Sequence, residues 1–277
     1  MQKIKYGLVV SDFDGTLVKE DGTIGADTKT IISEYINAGG KFALSTGRLP
    51  MGILARAQEL GLQGAVSCCN GAAIVDIQSK EVLFKGTIPN TLAVTICEKM
   101  EEMGLHIHVY NLWEYYCNKD DEALKIYEKL TGTKANLVTD EPLSAFLKRK
   151  GFGVFKLLAM VEKEDNAAIR AELEKENYAG CCVTKSSEFL VEVLNENYSK
   201  GTAVAFLSDY YGVPIEKTIG VGDQPNDIPM IAAAGLGIAV KNADESLKEA
   251  AAFTLEHTNE EGAVGKLIEK FAYGTEE

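Results

Sequence analysis

The sequence predicts an α/β fold: a parallel sheet flanked by helices, interrupted by an inserted α+β domain. Short β-branched apolar runs alternate with helix-length amphipathic stretches over residues 6–69 and again beyond residue 199. Two of these runs, Leu8-Val9-Val10 and Thr218-Ile219-Gly220-Val221, stop at acidic segments, Asp12-Phe13-Asp14 and Gly222-Asp223-Gln224-Pro225-Asn226-Asp227. Strands that end in carboxylates place them on the rim of a sheet, where open α/β folds bind ligands. The stretch between the alternating halves mixes strand-like pieces with helices and gathers Trp113, Tyr115 and Tyr116.

Residues 6–10 read as the first strand. Ile31, Ile32, Tyr35 and Ile36 recur at helical spacing, and Gly39-Gly40 stops that helix. A second strand covers 42–45, a helix 51–60 ends at Gly61, and a third strand covers 65–69 before the turn signal Asn70-Gly71. Strand, helix, strand, helix, strand implies a parallel sheet with right-handed crossovers. The inserted domain offers strand-like pieces at 105–110, 154–161, 180–185 and 189–193, with helices near 91–103, 120–130 and 163–177. The alternation then resumes. Ser199 is placed to cap a helix with Ala203, Phe206, Leu207 and Tyr210 on its apolar face, closed by Gly212 and Pro214. A strand at 217–221, a helix opened by Pro225, a strand at 236–240 and a helix near 263–271 complete the pattern. The expected division is a core of residues 1–82 and 191–277, and an inserted α+β domain of residues 83–190.

The bulk numbers agree with that division. A chain of 277 residues suits about two domains, and 46% hydrophobic with 25% charged residues is an ordinary globular mixture. With 28 basic against 41 acidic residues the net charge is −13, which argues against nucleic acid or an anionic membrane surface as partner. A small phosphorylated molecule remains compatible, because a local metal and lysine can reverse the local field. The cysteines Cys68, Cys69, Cys97, Cys117, Cys181 and Cys182 include two adjacent pairs and no Cys-x-x-Cys spacing. They read as small buried residues of a reducing compartment rather than as disulfides or a zinc site. The apolar run behind the basic opening is cut short by Asp12, so no signal peptide is expected. No long uncharged apolar run predicts a membrane helix, and a cytoplasmic location follows as the default.

The rim residues suggest a chemistry. Asp12 and Asp14, two apart at the end of a strand, point to the same side, so one carboxylate can attack phosphorus while the other handles the proton. Taken alone, Asp-x-Asp is better read as a solvated acidic turn. Gly15 permits a sharp turn beside a ligand. Thr46-Gly47-Arg48 offers a neutral phosphate contact and a cation that orients phosphate or pairs with a nearby acid; a plain helix-entry loop fits equally well. Lys200 lies in the first turn of a helix, where a point charge joins the exposed amides on an anion, although by itself it reads as a surface lysine. Asp223 and Asp227 are four apart, so Asp227 in a first helical turn can back up Asp223 as a metal ligand, while Asn226 reaches a phosphate oxygen. If the two rims are neighbours, four carboxylates converge and their pKa values rise unless a cation is present. Mg²⁺ takes one or two carboxylates with water and phosphate, which suits Asp12, the Asp14 backbone carbonyl and Asp223.

In their order these pieces resemble the haloacid dehalogenase (HAD) superfamily, and more narrowly its Cof-type sugar-phosphatase branch, subclass IIB with a C2-type cap. Asp12-Phe13-Asp14-Gly15-Thr16-Leu17 matches the first motif and Thr46-Gly47-Arg48 the second. Ser199-Lys200-Gly201 matches the third, and Gly222-Asp223 with Asn226-Asp227 and Met230 the fourth. Asn70-Gly71 and the tail Asn259-Glu260-Glu261-Gly262-Ala263-Val264 also match the branch. The resemblance implies a Rossmann-like core carrying a cap, and a Mg²⁺-dependent phosphatase that hydrolyses small phosphomonoesters, sugar phosphates first, through an aspartyl-phosphate. It implies Asp12 as nucleophile and Asp14 as acid/base. Thr46, Gly47, Arg48, Asn70, Lys200 and Asn226 would bind phosphate or substrate; Asp12, Asp14 and Asp223 the metal; and Asp227 would support metal and lysine. Rival readings are a phosphosugar mutase of the same superfamily and a weakly catalytic protein that binds a phosphorylated metabolite. One departure lies at Ala252-Phe253-Thr254-Leu255-Glu256-His257, where the branch usually has an aspartate near the Phe253 position.

Three features carry less. His106 and His108 share one side of an expected strand, but no third ligand is evident and a packed pair is the expectation. Gly220-x-Gly222 lacks the third glycine of a dinucleotide site. Trp113 reads as a core residue of the inserted domain, although the neighbourhoods of Trp113–Tyr116 and Lys185–Glu188 are the nominated specificity regions.

Overall fold

The computed structural model describes residues 3–274. The apolar run before Asp12 forms β1 (Leu8–Ser11), buried throughout, followed by α1 (Ala26–Asn37), β2 (Lys41–Leu44), α2 (Pro50–Glu59) and β3 (Ala65–Cys68). A hairpin adds β4 (Ala73–Asp76) and β5 (Val82–Lys85). Next come α3 (Asn90–Glu102), β6 (His106–Tyr110), β7 (Tyr115–Cys117), α4 (Glu122–Thr131), β8 (Asn136–Leu137) and α5 (Leu143–Lys150). They are followed by β9 (Lys156–Met160), α6 (Asn166–Lys175), β10 (Cys181–Ser187) and β11 (Leu190–Asn195). The remainder is α7 (Lys200–Tyr211), β12 (Thr218–Gly222), α8 (Ile228–Ala233), β13 (Leu236–Ala239), α9 (Glu245–Ala250), β14 (Phe253–Thr254) and α10 (Ala263–Leu267).

The chain divides into two units. The first contains the N-terminal stretch through Arg48, Ile53–Phe84, and everything from Tyr198 onward; the second contains Leu49–Gly52 and Lys85–Asn197. The expected boundary at 190 falls on β11, which pairs antiparallel with both β9 and β10, so the second unit extends beyond it to Asn197.

In the first unit, among the described residues, a sheet runs in the order β14-β13-β12-β1-β2 with every pairing parallel. Leu8 to Ser11 are buried, as parallel strands covered on both faces require. The third strand departs from the expected continuous parallel sheet. It meets the residue just after β2 through one parallel bridge, Ser45 to Ser67, and pairs antiparallel with β4. The reason is local: Cys69 and Asn70 both take positive φ, 52° and 56°, and the chain folds back on itself. Ser199 caps α7 in a reciprocal pair with Thr202, and Gly212 ends the helix with φ 64°.

In the second unit the sheet order is β10-β11-β9-β6-β7-β8 among the described residues. Ile107, Val109, Leu157, Ala159, Val191 and Val193 turn one face toward Ile96, Met100, Phe146 and Leu147 of α3 and α5. Strand alternation puts His106, His108 and Tyr110 on the other face. Neither β7, β8 nor α5 is expected from the sequence pattern. Cys68, Cys69, Cys97 and Cys117 are buried and unbridged as expected, but Cys182 is exposed. Among the described residues no helix is long and apolar enough to cross a membrane.

Candidate active site

Register brings the two acidic segments together. β1 and β12 are paired neighbours, Ser11 opposite Val221, and the Asp12 amide donates to the Val221 carbonyl at 2.9 Å. Asp12, Asp223 and Asp227 are buried at 4, 3 and 0% exposure, and one carboxylate oxygen from each lies within 4.8 Å of the others. Lys200, 1% exposed at the start of α7, donates to Asp12 Oδ1 and Asp227 Oδ1, both at 2.6 Å.

This buried group holds three acids against one lysine. Burial pushes the Asp12 carboxyl well above the usual carboxylate range; Lys200 opposes the rise, while Asp227 and Asp223 add to it. Burial likewise raises Asp223, against hydrogen bonds from Thr16 and Gln224. Burial alone would lower Lys200, but Asp12 and Asp227 more than reverse that and hold it charged, above the usual lysine value. The cluster is thus short of positive charge and rich in oxygen donors, the conditions that suit a hard divalent cation.

Each acid is positioned. Asp223 Oδ1 accepts from the Thr16 hydroxyl at 2.6 Å and Oδ2 from Gln224 Nε2 at 3.0 Å. Asp227 Oδ2 accepts from the backbone amides of Asp223 and Gln224, at 3.0 and 3.1 Å. Asp227 ends a 3-10 turn, Pro225–Asp227, and precedes α8 instead of lying in its first turn; the tight turn aims its carboxylate back at the strand end. Gly15 has φ 75°, and a Cβ there would lie 2.4 Å from Asp223 Oδ2, so only glycine allows this approach. Gly71, with φ 93°, abuts the N-cap of α7: a Cβ would lie 2.0 Å from the Ser199 carbonyl oxygen.

Asp14 is the exposed member. Its carboxylate accepts from Arg48 Nε at 2.8 Å and from a terminal Arg48 nitrogen at 2.7 Å. Arg48 therefore takes the acid-pairing alternative. Thr46 is buried, its Oγ1 accepting from the Arg48 amide at 3.2 Å, and its carbonyl receives the Asn70 amide at 3.0 Å. Asn226 Nδ2 donates to Asn70 Oδ1 at 3.0 Å, and Gly47 faces the same Asn70 oxygen.

All the residues nominated for catalysis, phosphate binding and metal binding therefore lie in the first unit. Three positioning residues escape the sequence pattern. Thr16 sits inside the first motif without an assigned task, and Gln224 is an unmarked neighbour of Asp223. Asn242 donates to the Gly15 carbonyl at 2.8 Å and accepts the Asn259 amide at 3.0 Å. Its place just after β13, at a strand's carboxyl end, is the signal that could have found it.

The arrangement matches a known family. The haloacid dehalogenase-like hydrolase model matches residues 9–268. A Haemophilus influenzae protein carrying a provisional phosphatase name is 30% identical over 266 residues, covering 96% of this chain and 98% of its own. The Bacillus subtilis 5-amino-6-(5-phospho-D-ribitylamino)uracil phosphatase YwtE is 26% identical, covering 96% of this chain and 98% of its own. The crystal structure of a haloacid dehalogenase-like hydrolase from Bacteroides thetaiotaomicron superposes with a TM-score of 0.85 at 27% identity, covering 96% of this chain and 99% of that one. The chain belongs to the haloacid dehalogenase-like hydrolases. It is an enzyme of the kind whose curated relatives are named as phosphatases.

Proposed function

We propose that the protein is a Mg²⁺-dependent phosphatase that hydrolyses small phosphomonoesters, sugar phosphates first among them, through an aspartyl-phosphate. The observation that carries this reading is Lys200 bridging Asp12 and Asp227 at 2.6 Å inside a buried acidic cluster. The lysine keeps Asp12 aligned and favours its ionised form, which a nucleophile requires. Asp12 attacks phosphorus as the bond to the leaving alkoxide breaks, and Asp14 gives that oxygen its proton. Asp14 then takes a proton from the water that displaces phosphate from Asp12, which restores both carboxyl groups. Lys200, the Thr46 hydroxyl and Asn226 hold the phosphoryl oxygens. Asp12, the Asp14 backbone carbonyl and Asp223 would hold Mg²⁺, which when bound would supply positive charge to the transferring phosphoryl group. Substrate class is argued from the relatives: YwtE is named for a phosphorylated ribityl compound, a sugar-like phosphomonoester.

The test is phosphate release from a panel of sugar phosphates and phosphorylated cofactors, with and without Mg²⁺. Wild type should turn over several of them, chelation should abolish turnover, and Asp12→Asn should be inactive. Near wild-type turnover by Asp12→Asn would remove the covalent route.

A further inference from the structure

His106 and His108 lack a third ligand in the linear sequence, and the sheet of the second unit supplies one. β6 and β7 pair antiparallel with His108 opposite Cys117, so His106, His108 and Cys117 share a face. His106 Nε2 lies 3.2 Å from His108 Nε2 and 3.0 Å from Cys117 Sγ. All three residues are buried, and their donor atoms lie within 4.8 Å of one another. A tetrahedral ion with bonds of about 2.0–2.1 Å to nitrogen and about 2.3 Å to sulfur separates its donors by roughly 3.3–3.6 Å. To admit one, His106 Nε2 would part from His108 Nε2 by roughly 0.1 Å and from Cys117 Sγ by roughly 0.5 Å.

The surrounding hydrogen bonds point the same way. His106 Nδ1 lies 3.0 Å from Asp121 Oδ2, which places the imidazole proton on Nδ1 and leaves Nε2 with a lone pair. That is the tautomer of a carboxylate–histidine–metal relay. Asp121 is itself fixed, because Oδ1 accepts from the Leu124 amide at 3.0 Å as the N-cap of α4. Without an ion, the His106 Nε2 lone pair faces both His108 Nε2 and Cys117 Sγ, and the Cys117 thiol also reaches the Lys119 carbonyl at 3.2 Å, a bond that an ion would replace. His108 Nδ1 lies 3.5 Å from the Tyr110 hydroxyl, a partner for its proton if Nε2 binds an ion. The Asp121 side chain is 43% exposed, so His106 reaches the surface through its Nδ1 side.

We infer that His106 Nε2, His108 Nε2 and Cys117 Sγ form a binding site for a late first-row transition cation such as Zn²⁺. Binding releases the Cys117 thiol proton to solvent and leaves a thiolate and two neutral imidazoles on the ion. This donor set disfavours Mg²⁺, which prefers oxygen, so the site and the Asp12–Asp223 cluster select different ions. The ion ties β6, β7 and the start of α4 together.

The experiment titrates chelator-stripped full-length protein with Co²⁺ in excess Mg²⁺. A thiolate-to-cobalt charge-transfer band should saturate at one equivalent and vanish on adding Zn²⁺, and Zn²⁺ should raise the melting temperature. Co²⁺ bound by the aspartates gives no such band. Cys117→Ser should abolish the band; Asp121→Asn should keep it while weakening binding about 10–100-fold. Absence of the band in wild type overturns the inference, as does its persistence in Cys117→Ser, which would trace it to another cysteine. If Cys117→Ser does not fold, unchanged Co²⁺ affinity in Asp121→Asn overturns it independently.

Discussion

Arg48 grips Asp14 through two charge-assisted hydrogen bonds, one to each carboxylate oxygen, at 2.8 and 2.7 Å, while its guanidinium lies 5.1 Å from the centre of the Phe13 ring. The proposed proton carrier is thus held by a planar fork that itself lies over the ring of the residue between the two aspartates. Lysine, a point charge, cannot reproduce the two-pronged grip on the carboxylate.

Asp14→Ala should lower kcat by about 10²–10⁴-fold, the usual contribution of a positioned acid/base. Arg48→Lys should cost less. If Arg48 acts by positioning Asp14, the double variant should be no slower than Asp14→Ala alone. Steady-state kinetics of the four proteins check this; additive losses would give Arg48 a separate role on substrate.

Lys200→Met removes the cation that bridges two buried carboxylates. Leaving buried charge unpaired costs about 3–5 kcal/mol, so this variant should unfold at lower denaturant as well as lose activity. Adding Asp227→Asn should recover part of the stability and none of the turnover. Denaturant melts of the single and double variants measure the recovery.

Asp12 and Asp223 have folded-state pKa values raised by burial, so the sign of their linkage is opposite to that of a salt-bridged carboxylate. Their contribution is fully present below the unfolded value of about 4 and is lost as pH rises through the folded values. Metal-free Asp12→Asn should therefore melt progressively higher than metal-free wild type as pH increases through that window. Mg²⁺ should close the gap by stabilising wild type. Thermal melts across pH, with and without Mg²⁺, provide the comparison; a constant gap would remove the electrostatic account.

Gly71→Ala should be destabilising by more than the backbone penalty alone, because its Cβ would meet the Ser199 carbonyl at 2.0 Å. Gly22 is the control: it has φ 78° with nothing within 4 Å of an added Cβ. Gly22→Ala should cost about 1 kcal/mol. Gly71→Ala should exceed it and also lower kcat, since α7 carries Lys200. Paired denaturant melts and phosphate-release assays read both effects.

Much of the core is legible in the sequence because its signals are local. β1, β12 and β13 announce themselves as short apolar runs, Ser199 as a helix cap, and the acids as interruptions at strand ends. The harder elements have weak local signals. β7 and β8 are 3 and 2 residues long, too short for a period to show. The reversal after β3 depends on non-glycine residues at positive φ, which Asn70 hints at and Cys69 does not.

Chain order and residue type were enough to nominate Asp12, Asp14, Lys200, Asp223 and Asp227, since strand-end acids and a capped helix are properties of neighbouring residues. Their pairings are another matter. Lys200 reaches Asp12 across 188 positions of sequence, Arg48 turns to Asp14 instead of outward, and Cys117 lands opposite His108. Such contacts depend on sheet register and on the space glycines leave at close approaches, which no local pattern records. Register also sets how much water is excluded, and exclusion of water turns three aspartates and one lysine into a site short of positive charge.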